Sequence, residues 1–174
     1  MGEPTTPSEV RAFHDLRKAN PAEAVRVATQ WIESDPTSST AYFSRHQAWL
    51  TLGETSRALD DINRAIALSP TQSDYEARGD IYRSVGDYRR AVDDYRHAEA
   101  IDPTRWTENA LPLLSQADAH AGLGDERKAL DCCSRLPEHF WTPGPFGLPP
   151  GGKSEIAAEL KRRSAMARAR NART

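Results

Sequence analysis

One recurring interval constrains this chain more tightly than its composition does. Gly53 and Gly86, Ala58 and Ala91, Ala65 and Ala98, and Pro70 and Pro103 are all separated by that same interval, around a shared Arg-Ala-x-Asp-Asp core at 57–61 and 90–94. An interval of this size marks one supersecondary unit per repeat, and a unit that cannot bury its apolar face alone must stack on its neighbours. The clearest copy runs from Ser73 to Pro103. Tyr75, Gly79, Tyr82 and Val85 recur at helical spacing, and Tyr88, Ala91, Val92, Tyr95 and Ala98 stripe a second helix. Between them Gly86 suits a left-handed turn and Asp87 a helix N-cap. Pro103 lacks the N–H that would carry the second helix further. The pattern predicts a helical hairpin.

The same slots continue in both directions. Ala24 and Pro36 precede Ala58 and Pro70 by nearly the same interval, with a partner helix predicted over Ser8 to Ala19 that turns Val10, Phe13 and Leu16 inward. Gly124, Ala129 and Leu136 continue the series after a five-residue insertion. Pro112 fits the first turn of a helix, so Thr104 to Leu111 is predicted to be a longer connector. Together these residues resemble the tetratricopeptide repeat family, whose helix A carries aromatic, small and aromatic residues and whose helix B carries Ala, aromatic, Ala and Pro. Tyr75, Gly79, Tyr82, Ala91, Tyr95, Ala98 and Pro103 match nearly in full. Tyr42, Trp49, Ala58, Ala65 and Pro70 match with His46 at the small position. The first hairpin keeps mainly Ala24 and Pro36, and the fourth has lost its terminal proline. The resemblance implies an all-α, right-handed superhelical stack of about four hairpins, near 5–38, 39–71, 72–105 and 106–137.

After Leu136 a stretch rich in proline and glycine (138–152) excludes regular structure, and Phe140, Trp141 and Phe146 within it call for something to pack on. From Ser154 a final helix is expected, with Ile156 and Leu160 as its apolar stripe, an arginine-rich outer face, and the role of capping the last hairpin. Charge divides accordingly. Residues 153–174 hold seven Lys and Arg against two Glu, whereas the rest of the chain is net acidic within an overall charge of −2. The tail has no aromatic residue for stacking bases, so nucleic-acid binding is not expected. No apolar run approaches the roughly 18 residues of a membrane helix, and the opening residues lack the apolar core of a secretory signal. The sequence reads as cytoplasmic, and Met1-Gly2-x-x-x-Thr6 is a poor myristoylation match beside Glu3 and Pro4.

Enzymatic patterns fail on their own chemistry. Gly147 to Ser154 formally fits G-x-x-x-x-G-K-[ST], but no strand precedes it, and Pro149 and Pro150 remove N–H donors that a phosphate loop needs. His14, His46, His97, His120 and His139 share no metal-like spacing, with His46 and His120 at interior slots. The adjacent Cys132 and Cys133 suit apolar filling better than a bridge. Neither a cofactor nor catalysis is expected.

What remains is recognition. The resemblance implies that helix-A positions one step beyond the inward stripe line a concave groove: Phe43, Gln47 and Leu50, then Glu76, Asp80 and Arg83, then Leu114 and Asp118. Trp106, in the connector, is a candidate anchor for a partner or, equally, a staple for the fourth hairpin. Family members that grip a chaperone's C-terminal carboxylate use Lys, Arg and Asn at these slots, and this chain has no Lys or Asn there. The expected partner is another protein, offering a peptide or helix with apolar anchors and some basic character. The alternatives are self-association, with the 139–146 segment lying in its own or a neighbour's groove, and a nucleic-acid-associated adaptor acting through the basic C-terminal tail.

Overall fold

The computed structural model describes residues 3 and 6–173. Ten α-helices are present among them: α1 (Pro7–Ala19), α2 (Pro21–Ser34), α3 (Ser39–Thr51), α4 (Thr55–Leu68), α5 (Gln72–Ser84), α6 (Tyr88–Ile101), α7 (Pro103–Glu108), α8 (Ala110–Leu123), α9 (Glu126–Ser134) and α10 (Lys153–Asn171). The described residues form no sheet strand, and the fold is an all-α helical repeat. It comprises two compact units, residues 1–78 and 79–174, divided within α5.

Local signals set the helix ends. Asn20 closes α1 with its N–H on the Leu16 carbonyl, and its side chain caps α2 by accepting from the Glu23 N–H at 3.1 Å. Asp87 and Asp125 cap α6 and α9 in the same way, each accepting from an N–H three residues on. After α2 and α6 the chain repeats a single device: Asp35 and Asp102 each accept from the N–H and hydroxyl of the threonine beyond the proline. Gly86 takes φ +81° in the turn after α5, as the sequence predicts.

In the first unit, Phe13 meets Trp31 with ring centroids 4.8 Å apart, and Ala24, Val27, Ala28, Ala41 and Ala48 complete the core. Val10 does not join them. It is exposed on α1, contrary to the sequence expectation, because the face that meets α2 and α3 is centred on Phe13. Asp61 is buried beneath α3 and takes two bonds from the Arg45 guanidinium, at 2.7 and 2.8 Å. A buried charge needs such a partner.

In the second unit, Gly79 lets α5 approach α6: a Cβ there would stand 2.8 Å from the Tyr95 ring. Gly122 allows the same closeness to Tyr88, at 2.6 Å. Val85 lies beyond the last turn of α5 and is exposed, so it does not extend the predicted stripe. The connector before α8 contains α7, which folds Trp106 into the core, while Pro112 sits in the first turn of α8. The segment after α9 is pinned by paired 3.0 Å bonds between Thr142 and Gly151. α10 begins at Lys153, one residue before the expected Ser154, with Gly152 as its N-cap, whose N–H donates to the Glu155 carboxylate at 2.9 Å. Ile156 and Leu160 are fully buried, and α10 packs on α8 and α9.

Hairpins two and three repeat their surface contacts as well as their cores. Arg57 stacks on Trp49 and Arg90 on Tyr82, at 4.8 and 4.4 Å from the ring centres. Arg45 on Tyr42 and Arg78 on Tyr75 form a second such pair of contacts, at 5.7 and 5.6 Å. Each arginine and each ring stands one repeat interval from its counterpart.

Candidate functional site

The helix-A slots are best built one unit at a time. On α3, Phe43, Gln47 and Leu50 stand at i, i+4 and i+7, so they share one edge of the helix. Phe43 and Gln47 are half-buried and Leu50 is 39% exposed. The Phe43 ring lies edge-on to the His46 imidazole at 4.7 Å and forms one wall of a shallow cleft of about 160 Å³, also lined by Ser39, Thr40, Thr71, Ser73 and Asp74. Behind that edge His46 is buried, with its Nδ1 on the Phe43 carbonyl. Burial, aided by Arg17, holds its pKa down at about 4, so it is neutral. Asp74 is committed to the α5 N-terminus, where its carboxylate accepts from the Thr71 N–H and hydroxyl. Glu76 accepts from the Gln72 amide at 2.8 Å.

In the second unit the corresponding residues form a closed polar network. Asp80 accepts from the Tyr95 hydroxyl at 2.7 Å, and Arg83 donates to the Tyr95 oxygen at 3.2 Å. Arg83 also donates to Asp118 at 3.2 Å, and Asp118 takes a second charged bond from Arg163 of α10. Arg163 reaches on to the Gly147 carbonyl at 2.7 Å and the Phe146 carbonyl at 3.3 Å. Burial works against the charge of Arg83, but Tyr95, Asp80 and Asp118 hold its guanidinium above its usual pKa. Finally, the Phe146 ring lies 3.8 Å from the Arg83 guanidinium carbon.

The structure therefore brings together Asp80, Arg83 and Asp118, but over the last two it places residues of the chain's own loop and α10. Leu114 and Trp106 are fully buried, and Trp106 meets Tyr95 edge-on at 6.3 Å. Trp106 does not present itself to a partner, because α7 turns its large apolar area into the core. Sequence reasoning reaches Phe146 only through the alternative that sets the 139–146 segment in its own groove, and it does not single out Arg163. The signal that points to Arg163 is the Glu159–Arg163 spacing.

The basic tail also differs from expectation. Arg163 is half-buried, and the exposed Arg168 caps α8 at the Gly124 carbonyl and pairs with Glu126. Arg162 and Arg163 bind Glu159 and hold its pKa down at about 2. Helix C-termini attract such cations. Lys153 does likewise, donating to the Ser134 and Leu136 carbonyls at 2.8 and 2.6 Å, so in this conformation its ammonium is not aimed into the glycine loop before it. Burial pushes the Cys132 thiol up to about 12. Among the described residues, no group of three or more His, Cys, Asp and Glu is placed to hold a metal ion, and no helix is long and apolar enough to cross a membrane.

Comparison with known families matches residues 75–105 to a tetratricopeptide repeat. The fold is that of the tetratricopeptide-repeat proteins. Solved structures agree. A putative kinesin light chain of Podospora anserina with nearly identical TPR-like repeats aligns at TM-score 0.65 and 16% identity, over 98% of this chain and 100% of its own. YrrB, described as a TPR protein with an unusual peptide-binding site, gives 0.65 and 15%, over 88% and 77%. MamA of Desulfovibrio magneticus RS-1 gives 0.62 and 16%, over 72% of each chain. No curated protein matches the sequence.

Proposed function

We propose that this chain of tetratricopeptide-repeat fold is a non-catalytic protein–protein interaction module, and that the edge of α3 takes a peptide or helical segment of a partner protein. The observation that carries the reading is the partly exposed Phe43, Gln47 and Leu50 edge beside the Phe43 cleft. Phe43 and Leu50 offer apolar contact on one helix edge, with the Gln47 amide between them for a polar one. The matching slot on α5 carries Glu76, so the preferred segment combines an apolar anchor with a basic residue. A solved neighbour described by its peptide-binding site supports the class of ligand.

The test is affinity capture from the source lysate with the full chain and a Phe43→Ala/Leu50→Asp variant, both shown to melt at the same temperature. The reading expects partners held by the wild type and lost from the variant. Identical captured sets would overturn it.

A further inference from the structure

In the second unit, the slots that α3 leaves open are filled from within the chain. Arg83 has its edges engaged by Tyr95 and Asp118, with Asp80 beside it. Its flat face is left for a ring, and Phe146 takes it. We propose that Arg83, flanked by Asp80 and Asp118, is a docking site for an aromatic side chain carried on a tight turn of a partner protein, and that Phe146 occupies it in cis until a partner displaces it. This rests on the reading of the helix-A slots as a partner-binding row.

The chemistry favours an aromatic ligand over an anionic one. Two carboxylates beside Arg83 repel a third, whereas a guanidinium face stacks on a ring without losing its edge contacts. The turned backbone is specified by Arg163, which holds successive carbonyls at 146 and 147, both in the left-handed region, while bonded to Asp118.

The occupant is also built to leave. Phe146 has φ +59° and is the one non-glycine residue with positive φ among the described residues. An L-residue with a side chain is strained there. Gly144 and Gly147, at φ +94° and +67°, flank it and take the left-handed backbone without the strain that Phe146 carries. The base of the loop stays fixed through the Thr142–Gly151 pairing and the buried Leu148, and α10 stays fixed through Ile156 and Leu160. Phe146 itself is only half-buried. When the tip departs, Arg83, Asp80, Asp118 and Tyr95 still bind one another, so the empty site remains assembled.

The test uses a fluorescein-labelled synthetic peptide of residues 138–152, titrated by anisotropy against the full wild-type chain and its Phe146→Ala variant. The variant should bind the peptide about tenfold more tightly, because its own occupant no longer competes. Binding should vanish when the peptide carries Ala at the Phe146 position, and when Arg83→Ala is added to the variant. A Phe146→Ala chain with unchanged circular dichroism that binds no more tightly than wild type overturns the proposal. Should that variant fail to fold, Phe146→Leu keeps the apolar bulk without the aromatic face and carries the same expectation. Adding Phe43→Ala/Leu50→Asp leaves this binding intact, which separates the proposal from the reading of α3.

Discussion

Leu50 and Arg83 occupy the same slot of successive repeats, and their fates differ. Leu50 is 39% exposed, whereas the Arg83 side chain is 12% exposed under Phe146 and between carboxylates. The repeat fixes where a side chain projects; its chemistry decides whether the chain covers it. In the first unit the arginine that could have organised a network, Arg45, bonds to the buried Asp61 instead. The edge beyond it is left to Phe43, Gln47 and Leu50. In the second unit the arginine stands in the row itself, and it gathers Asp118, Arg163 and the loop tip.

The sharpest way to break this comparison is to disturb Arg45. Arg45→Ala leaves Asp61 charged, buried and without its bidentate partner, and should cost about 3–5 kcal/mol in urea unfolding. Arg45→Met/Asp61→Leu should recover most of that loss.

Next in size is a pH effect confined to the first unit. His46 has a folded pKa of about 4 against an ordinary value of 6.5. Its folded form resists protonation, so its full contribution is present above pH 6.5 and is lost as pH falls toward 4. The loss is about 3 kcal/mol across that window. Urea unfolding at pH 7.5 and 4.5 should show a steeper decline in wild type than in His46→Gln. Parallel declines would contradict the burial assigned to His46.

The smallest effect belongs to the second unit. Arg163→Ala should cost only about 1–2 kcal/mol, because Asp118 keeps its bond to Arg83. A loss as large as that of Arg45→Ala would mean that the second network is structural support of the same kind as the first.

Much of this fold was legible in the residues. The repeat interval put Gly79 on the inward stripe of its helix and predicted the Gly86 turn, because both follow from backbone geometry within one hairpin. Ile156 and Leu160 announced the buried face of α10 by their spacing. Contacts across long separations were not legible. Asp118 meets Arg163 at a distance of 45 residues in sequence, and nothing in helical periodicity selects one arginine of a basic tail over its neighbours. Trp106 stayed open between partner anchor and hairpin staple for a related reason: a connector dense in polar residues gave no sign of which way α7 would turn, and the structure buries the ring. Lys153, set in a glycine-rich context that mimics a phosphate loop, proved to be a helix C-terminal cap.

The central claim is that Phe146 covers Arg83 while Leu50 stands uncovered. The most direct test is the side-chain NMR spectrum of the full chain, comparing wild type with Phe146→Leu. A ring 3.8 Å from the guanidinium carbon should shift the Arg83 side-chain protons strongly upfield. That shift should collapse in the variant, with the Leu50 methyl resonances unchanged. Arg83 protons at ordinary positions in the wild type, unaffected by the substitution, would contradict the account.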